Sequence, residues 1–431
     1  MLSLRKATFK SAPALLVGAL LCFMFDLTGP SKLLGTLATV SLAIGLGAFP
    51  NTRGYQYTVW IVVSFLTGML YPQHFQQFND HKWFGLLLVQ AVMFGMGTQM
   101  KLKDFAGVFT MPWSVFVGLL CQFTIMPLIG FTLAKLIGFP PEIAAGIILI
   151  GSCSSGLASN VMAFLAKANL ALSITLTSMA TLLAPVMTPL WMKLLAGEMI
   201  EVSFVAMMAT VVKIVVVPIG AALIHDLLRE GNPTQRKLVF ALTTLAAAWL
   251  AILVLGGWGW ITNRLEGNAL LLGVVLPGYL LSTFLVATLY HTLTKKLPKL
   301  EASMPMVSMF GICYFTLVAT AAGQASLRQV GFLLLVAAII HNIAGYLLGY
   351  GLSRLFRLTE EDARTVALEV GLQNGGMASG IALSIGKLGT VGLASAIFSP
   401  WMNVSGSVLA NYWRRVRPLK FGDDSPPESR E

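Results

Sequence analysis

Glu369, Gln373 and Asn374 stand among Gly371, Gly375 and Gly376 in the stretch Leu368-Glu369-Val370-Gly371-Leu372-Gln373-Asn374-Gly375-Gly376-Met377-Ala378-Ser379, inside an apolar run from about residue 365 to 385. A carboxylate at hydrocarbon depth costs about 2.5–3.5 kcal/mol on insertion scales, so an acid there marks a function or a partner. Glu369 and Gln373 are four residues apart, the spacing that places two side chains on one helix face. The glycines and Asn374 that follow are poor helix formers and predict a break. A break frees backbone carbonyls, which hydrocarbon tolerates only where they face protein or a polar cavity. One acid, neutral amides and freed carbonyls together are the ligands of a desolvated cation.

The elements that must hold this set are membrane helices. The chain has 431 residues, 56% of them apolar and 11% charged, with 41 glycines. That composition belongs to an all-α polytopic membrane protein and not to a soluble domain. Fourteen candidate spans follow, at about 12–28, 31–49, 56–72, 83–99, 108–137, 142–165, 170–194, 203–224, 238–257, 269–290, 303–323, 331–350, 365–385 and 390–412. With both termini cytoplasmic, 21 of the 29 Lys and Arg residues fall on the inner side and 7 on the outer, and Lys213 alone lies within a span. This asymmetry orients the chain as for a bacterial-type inner (plasma) membrane protein. The first apolar run lacks a small-residue cleavage site and reads as a retained helix. The polar tail from about Lys420 reads as disordered.

The net charge of +11 is scattered over short loops, which excludes a nucleic-acid partner. Cys22, Cys121, Cys153 and Cys313 lie singly in apolar segments and read as packing residues. Without an HExxH motif, an acid pair at useful spacing or a GxxxxGK[ST] loop, neither an intramembrane enzyme nor an ATP-driven pump has its machinery.

Sliding the chain against itself by 220 residues sets Gly151-Ser152-Cys153-Ser154-Ser155-Gly156-Leu157-Ala158-Ser159 on Gly371–Ser379, matching two glycines and an Ala-Ser pair, and sets Gln122 on Asn342. The copies are seven spans apart and therefore inverted. Inverted repeats with Gly-interrupted helices in matching places point to the midplane site of a secondary transporter. The competing reading is that small residues merely let helices approach closely.

The chain resembles the bile acid:sodium symporter family. The resemblance rests on Met93-Phe94-Gly95-Met96-Gly97, Leu102-Lys103-Asp104-Phe105, Gln122-Phe123-Thr124-Ile125-Met126-Pro127, Gly156-Leu157-Ala158-Ser159-Asn160-Val161-Met162, His341-Asn342, Glu369-Val370-Gly371-Leu372-Gln373-Asn374 and Trp401-Met402-Asn403-Val404-Ser405-Gly406-Ser407. It implies ten helices in two inverted five-helix repeats, a panel domain and a core domain, and two discontinuous helices that cross in the core. It also implies two sodium ions beside the crossing, carried with an organic anion, bile acid-like or a small carboxylate, by alternating access. No cofactor is implied beyond sodium as coupling ion. Residue by residue, the first sodium site falls on Ser159, Asn160, Ser173, Thr177 and Glu369. The second falls on Gln122, Glu369, Gln373 and the carbonyls of Val370 and Leu372. The anion's place falls on Asn374 and Asn403, with Ser154 and Ser155.

Each assignment has a plainer rival. Ser173 and Thr177 could bond back to carbonyls four residues earlier. Gln122 and Asn160 could join helices, Glu369 could pair with Lys213, and His341 reads as a packing residue. An arsenite-type efflux carrier of related fold would use a thiol near the break, and Cys153 is placed for that. Leu157, Ser154-Ser155-Gly156 and Met402 depart from frequent family residues around the expected substrate space.

The domains expected are an added helix pair at 1–50, a first repeat at 51–200, a second at 201–412 with an added pair at about 238–290, and a tail at 413–431. The slide also lays 57–72 on 277–292, which suggests a seven-plus-seven repeat instead.

Overall fold

The computed structural model describes residues 2–49 and 53–416; most of the expected tail lies outside them. Sixteen helices carry the fold: α1 (Leu2–Met24), α2 (Thr28–Leu46), α3 (Arg53–Leu70), α4 (Lys82–Gly97), α5 (Pro112–Ile137), α6 (Pro141–Ser152), α7 (Leu157–Leu165) and α8 (Leu170–Ala196). They continue with α9 (Phe204–Glu230), α10 (Pro233–Thr262) and α11 (Gly267–Lys296). The last are α12 (Lys299–Ala322), α13 (Gln324–Leu355), α14 (Glu360–Gly371), α15 (Gly375–Ser384) and α16 (Gly392–Arg415). Among the described residues, nine are long and apolar enough to cross a bilayer, or ten if α4 and the segment after it, bent by 68°, form one span. Of the four other expected spans, α3 counts only as a shorter apolar helix, Thr58–Leu70, and three miss that test for visible reasons. Two are each split into half-helices of 9 to 12 residues. α16 is long enough but is diluted by serines, asparagines and a terminal arginine pair.

Local signals set the boundaries. Pro112 and Pro141 open α5 and α6, where a missing N–H costs nothing. Asn232 and Gln235 close a capping box at the start of α10. Gly138, at φ 74°, ends α5 in the left-handed conformation that few other residues tolerate.

The helices fall into two groups. One comprises α3, α4, α9 and α12, with contacts of α12 to α3 and α4 and of α4 to α9. The other packs α5 against α6, α8, α13 and α14, with α16 against α6 and α13. The groups meet where α4 and α12 touch α15 and where α12 touches α16. The hairpin α1–α2 docks on α3, and α10–α11 docks on α9.

A clamp between α8 and α14 sets the register of the site. Asn169 caps α8 by accepting from the Leu172 N–H, and its own N–H donates to the Thr365 hydroxyl at 2.9 Å. Its amide also donates to Asp362 at 2.8 Å. One turn beyond Asn169 stands Ser173, and one turn beyond Thr365 stands Glu369. The clamp therefore brings those two side chains face to face.

Candidate functional site

Both split helices break in the middle of the protein, and the breaks bind each other. The chain is extended at Cys153 (φ −77°, ψ 164°) and at Gly156 (φ −105°, ψ 165°). There Ser155 and Gln373 form a short antiparallel bridge. Gly156 N–H donates to the Leu372 carbonyl at 3.1 Å, and Asn374 N–H donates to the Ser154 carbonyl at 2.8 Å. In this antiparallel register Ser154 stands opposite Asn374, a pair that the 220-residue slide also matches. An amide from the preceding helix serves each break. Gln122 of α5 donates to the Cys153 carbonyl at 3.1 Å, and Asn342 of α13 donates to the Gly371 carbonyl at 2.7 Å. The approach is so close that a Cβ at Gly371 would overlap the Tyr346 ring, and one at Gly151 would meet the Met126 carbonyl. His341 joins this packing, its Nε2 lying 2.9 Å from the same carbonyl and its ring against Phe398.

Glu369 is buried beside the crossing. Its Oε1 lies 2.5 Å from the Ser173 hydroxyl. Its Oε2 accepts from Ser155 at 2.5 Å and from Thr177 at 2.9 Å. Asn160 Oδ1 is 2.8 Å from the Ser173 hydroxyl and 3.2 Å from that of Thr177. Ser159, whose hydroxyl donates to the Gly156 carbonyl, is 3.4 Å from Thr177. Each hydroxyl carries one proton, so Ser173 and Thr177 serve either the carboxylate or Asn160, not both at once. The cluster is rich in oxygen and poor in protons, and a hard cation without its water relieves that imbalance.

Helix α8 decides between two readings of its hydroxyls. Thr175 and Thr181 bond back to the carbonyls of Ala171 and Thr177. Ser173 and Thr177 turn instead to Glu369 and Asn160.

The second expected set gathers on the other side of the bridge. Gln122 donates to Gln373 Oε1 at 3.0 Å, and Gln373 donates to the Val370 carbonyl at 2.6 Å. The buried Gln122 Oε1 has no hydrogen-bond partner, an orphaned acceptor that suits a cation. The Leu372 carbonyl is taken up by the bridge. The expectation that Glu369 and Gln373 share a helix face does not hold, because α14 ends at Gly371 and Gln373 lies in extended chain.

A cavity of about 360 Å³ opens next to the crossing, between the two helix groups. Both half-helix N-termini border it, through Gly156–Leu157 and through Asn374–Gly376. Asn374 caps α15 by accepting from the Met377 N–H, and Asn403 lines the cavity while donating to the Ser399 carbonyl. Ser154 and Ser155 do not line it; Ser154 takes a hydrogen bond from Thr181, and Ser155 faces Glu369. Gln99 and Ser308 line the wall across from the crossing. Neutral polar residues in apolar spans, they gave no signal beyond polarity.

Lys213 does not reach Glu369; its Nζ lies over the Tyr279 ring, 5.9 Å from the centroid. Cys153 is fully buried in the apolar core and does not line the cavity. The site thus offers oxygen ligands at the crossing and no accessible thiol there.

Known proteins share this sequence pattern. The profile of the Sodium Bile acid symporter family matches residues 86–259. An uncharacterized sodium-dependent transporter of Bacillus subtilis, YocS, is 32% identical over 86% of this chain and 95% of its own length. A probable chloroplastic sodium/metabolite cotransporter of Arabidopsis thaliana, BASS1, is 26% identical over 85% of this chain and 75% of its own. The human ileal sodium/bile acid cotransporter is 31% identical over 39% of this chain and 49% of its own. With helices built for a bilayer and a relative this similar along nearly its whole length, the chain is an integral membrane protein that belongs to the sodium bile acid symporter family.

Proposed function

We propose that the protein imports a small organic anion with sodium by alternating access. The observation that carries this reading is Glu369, a buried carboxylate held by hydroxyls, with no basic side chain within ion-pair distance among the described residues. Such an acid is costly in hydrocarbon unless a cation offsets it. Ser159, Asn160, Ser173, Thr177 and Glu369 would hold one ion. Gln122, Gln373, Glu369 and the Val370 carbonyl would hold the other, with Leu372 lending its carbonyl where the bridge loosens. The anion would lie in the neighbouring cavity, where two half-helix N-termini favour negative charge and Asn374 and Asn403 offer amides. The sodium-dependent names of the relatives support the same cation.

In this reading fourteen segments cross a bacterial inner membrane with both termini cytoplasmic. The group α3, α4, α9 and α12 is the panel, and the remainder of the family fold is the core. An inverted repeat is supported by the matched amides Gln122 and Asn342. A five-plus-five repeat is the version that the packing favours: α4 packs on α9 as α12 packs on α3, which supports α9 over α11 as the counterpart of α3. The pairs α1–α2 and α10–α11 are then additions at the panel's flank.

The test is uptake into proteoliposomes across labelled small carboxylates, pantoate, pyruvate and bile acids, with and without an inward sodium gradient. At least one anion should accumulate above equilibrium only with the gradient. Accumulation of none, or equal uptake without sodium, would refute the proposal.

A further inference from the structure

A second cavity, larger than the one at the crossing, lies between the panel and the added pair α10–α11. It measures about 770 Å³, is bordered by α4, α9, α10, α11 and α12, and is apolar except for a few groups. Cavities of roughly 300–1,000 Å³ are the size of small-molecule sites. Lys213, the one basic residue that the sequence embeds in a span, lines it. Among the described residues no carboxylate lies within ion-pair distance of its ammonium. Its ammonium lies over the face of Tyr279.

The backbone is built around this lysine. Pro218 has no N–H to give, so a carbonyl one turn earlier must go without. The helix responds with a π-helical stretch at Val212–Val216. The Lys213 carbonyl, five residues before the proline, takes its hydrogen bond from Gln90 of α4 at 3.1 Å instead. A second π-helical stretch, Leu271–Val275, borders the same cavity, as does a kink in α10 at Leu255–Gly256, where Gly256 has φ 110°. Such widened turns concentrate at functional sites. Two more groups on the lining, Trp249 Nε1 and the Tyr290 hydroxyl, are buried without a hydrogen-bond partner.

We propose that this cavity binds a single-chain amphipathic carboxylate, a fatty-acid-class anion whose head pairs with Lys213 and whose tail fills the apolar space. The depth of the lysine favours this occupant over a phospholipid headgroup. At about 1.5 Å per residue, Lys213 lies roughly 14 Å along α9 from Phe204 and 25 Å from Glu230. That is near mid-bilayer, where a free carboxylic head can be drawn down but a phosphate at the interface does not reach. A lone lysine is a point charge suited to one carboxylate, whereas phosphate sites favour forked arginines. Only 11% of the apolar window of α10 and of α11 is buried, so this pair borders the lipid from which such a ligand would come.

The experiment measures oleate binding to the protein in phosphatidylcholine nanodiscs, without sodium or transport substrate, so its outcome is independent of the transport reading. Saturable binding is expected, weakened about tenfold or more in Lys213→Gln, as for loss of a charge-assisted hydrogen bond, and largely kept in Lys213→Arg. Ser282→Trp should reduce binding by filling the cavity with the lysine in place. Oleyl alcohol and butyrate, lacking the charge or the tail, should each bind far more weakly. Lys213→Gln without ligand should melt no lower than the parent protein, since it removes an embedded unpaired charge. The proposal fails if oleate does not saturate, or if Lys213→Gln binds it equally well. It fails too if the alcohol or butyrate matches oleate, or if phosphatidylglycerol in the disc displaces oleate, which would make a headgroup the occupant.

Discussion

The two broken spans are built alike and equipped differently. Each lets its first half-helix end on a carbonyl taken by an amide of the preceding helix, Gln122 for α6 and Asn342 for α14. The two amides differ in what remains. Asn342 uses its oxygen to accept from Ser405 at 2.5 Å, which closes its hydrogen bonding within its own side. Gln122 reaches across to Gln373 and keeps a buried oxygen with no partner. The capping differs as well: Asn374 caps α15 with its side chain, while α7 starts from Gly156 with no side-chain cap. Charge is also on one side only, since Glu369 lies on α14 just before the second break and its hydroxyl partners Ser155, Ser173 and Thr177 come from the first break and from α8. One half therefore supplies the acid, with Gln373 and the Val370 carbonyl beside it, and the other supplies the hydroxyls, Asn160 and Gln122.

Removing the charge is the strongest challenge to that asymmetry. Glu369→Gln should abolish sodium-driven uptake and remove the sodium-dependent rise in melting temperature. For a site at 100 times its Kd, that rise corresponds to about 2.7 kcal/mol of stabilisation. Sodium-dependent stabilisation that survives in Glu369→Gln would place the ions elsewhere.

The amide pair sharpens the comparison. Gln122→Leu should weaken sodium binding by about tenfold or more, because it deletes the free oxygen and the tie to Gln373. Asn342→Leu leaves the buried Gly371 carbonyl unpaired, at a cost of about 1–3 kcal/mol in stability, with sodium affinity little changed. Titration of both variants by sodium-dependent melting checks this. Equal losses of affinity would mean that the breaks are functionally equivalent.

On α8 the contrast runs along a single helix. Thr177→Val removes a ligand from Glu369, whereas Thr175→Val removes a hydroxyl that bonds to the Ala171 and Asp104 carbonyls. A hydrogen bond to a charged group is worth about 1.5–3 kcal/mol. Sodium half-saturation should therefore rise by about tenfold or more in the first variant and stay within about twofold in the second.

What the sequence disclosed follows from the same physics. An acid in hydrocarbon stands out in any apolar run, and hydroxyls four residues apart on α8 must share a face, but only the family resemblance put Ser173 and Thr177 together with Glu369 before any coordinates. Ser155 and Gln373 were less legible because both lie in extended chain, where neighbouring side chains point to opposite sides. Ser155 therefore turns to Glu369 while Ser154 turns to Thr181, and a helical spacing rule misplaces Gln373. Gln99 and Ser308 were silent because their role depends on which helix faces the cavity, a matter of tertiary packing.

The smallest expected effect bears on the thiol reading. Cys153 sits at the first break, where a carrier for a thiol-seeking metalloid would want its ligand, yet only its backbone carbonyl takes part, accepting from Gln122. Its side chain is buried among apolar neighbours, away from the cavity wall. Cys153→Ala should thus cost about 1–2 kcal/mol in stability, the range for removing a small buried group, and leave sodium-coupled uptake within about twofold. The second break has Gln373 at the matching place and no thiol there. Loss of uptake in Cys153→Ala with melting unchanged would show that the first break contributes a side chain to the cargo, and that the division into an acid-bearing and a neutral half is drawn in the wrong place.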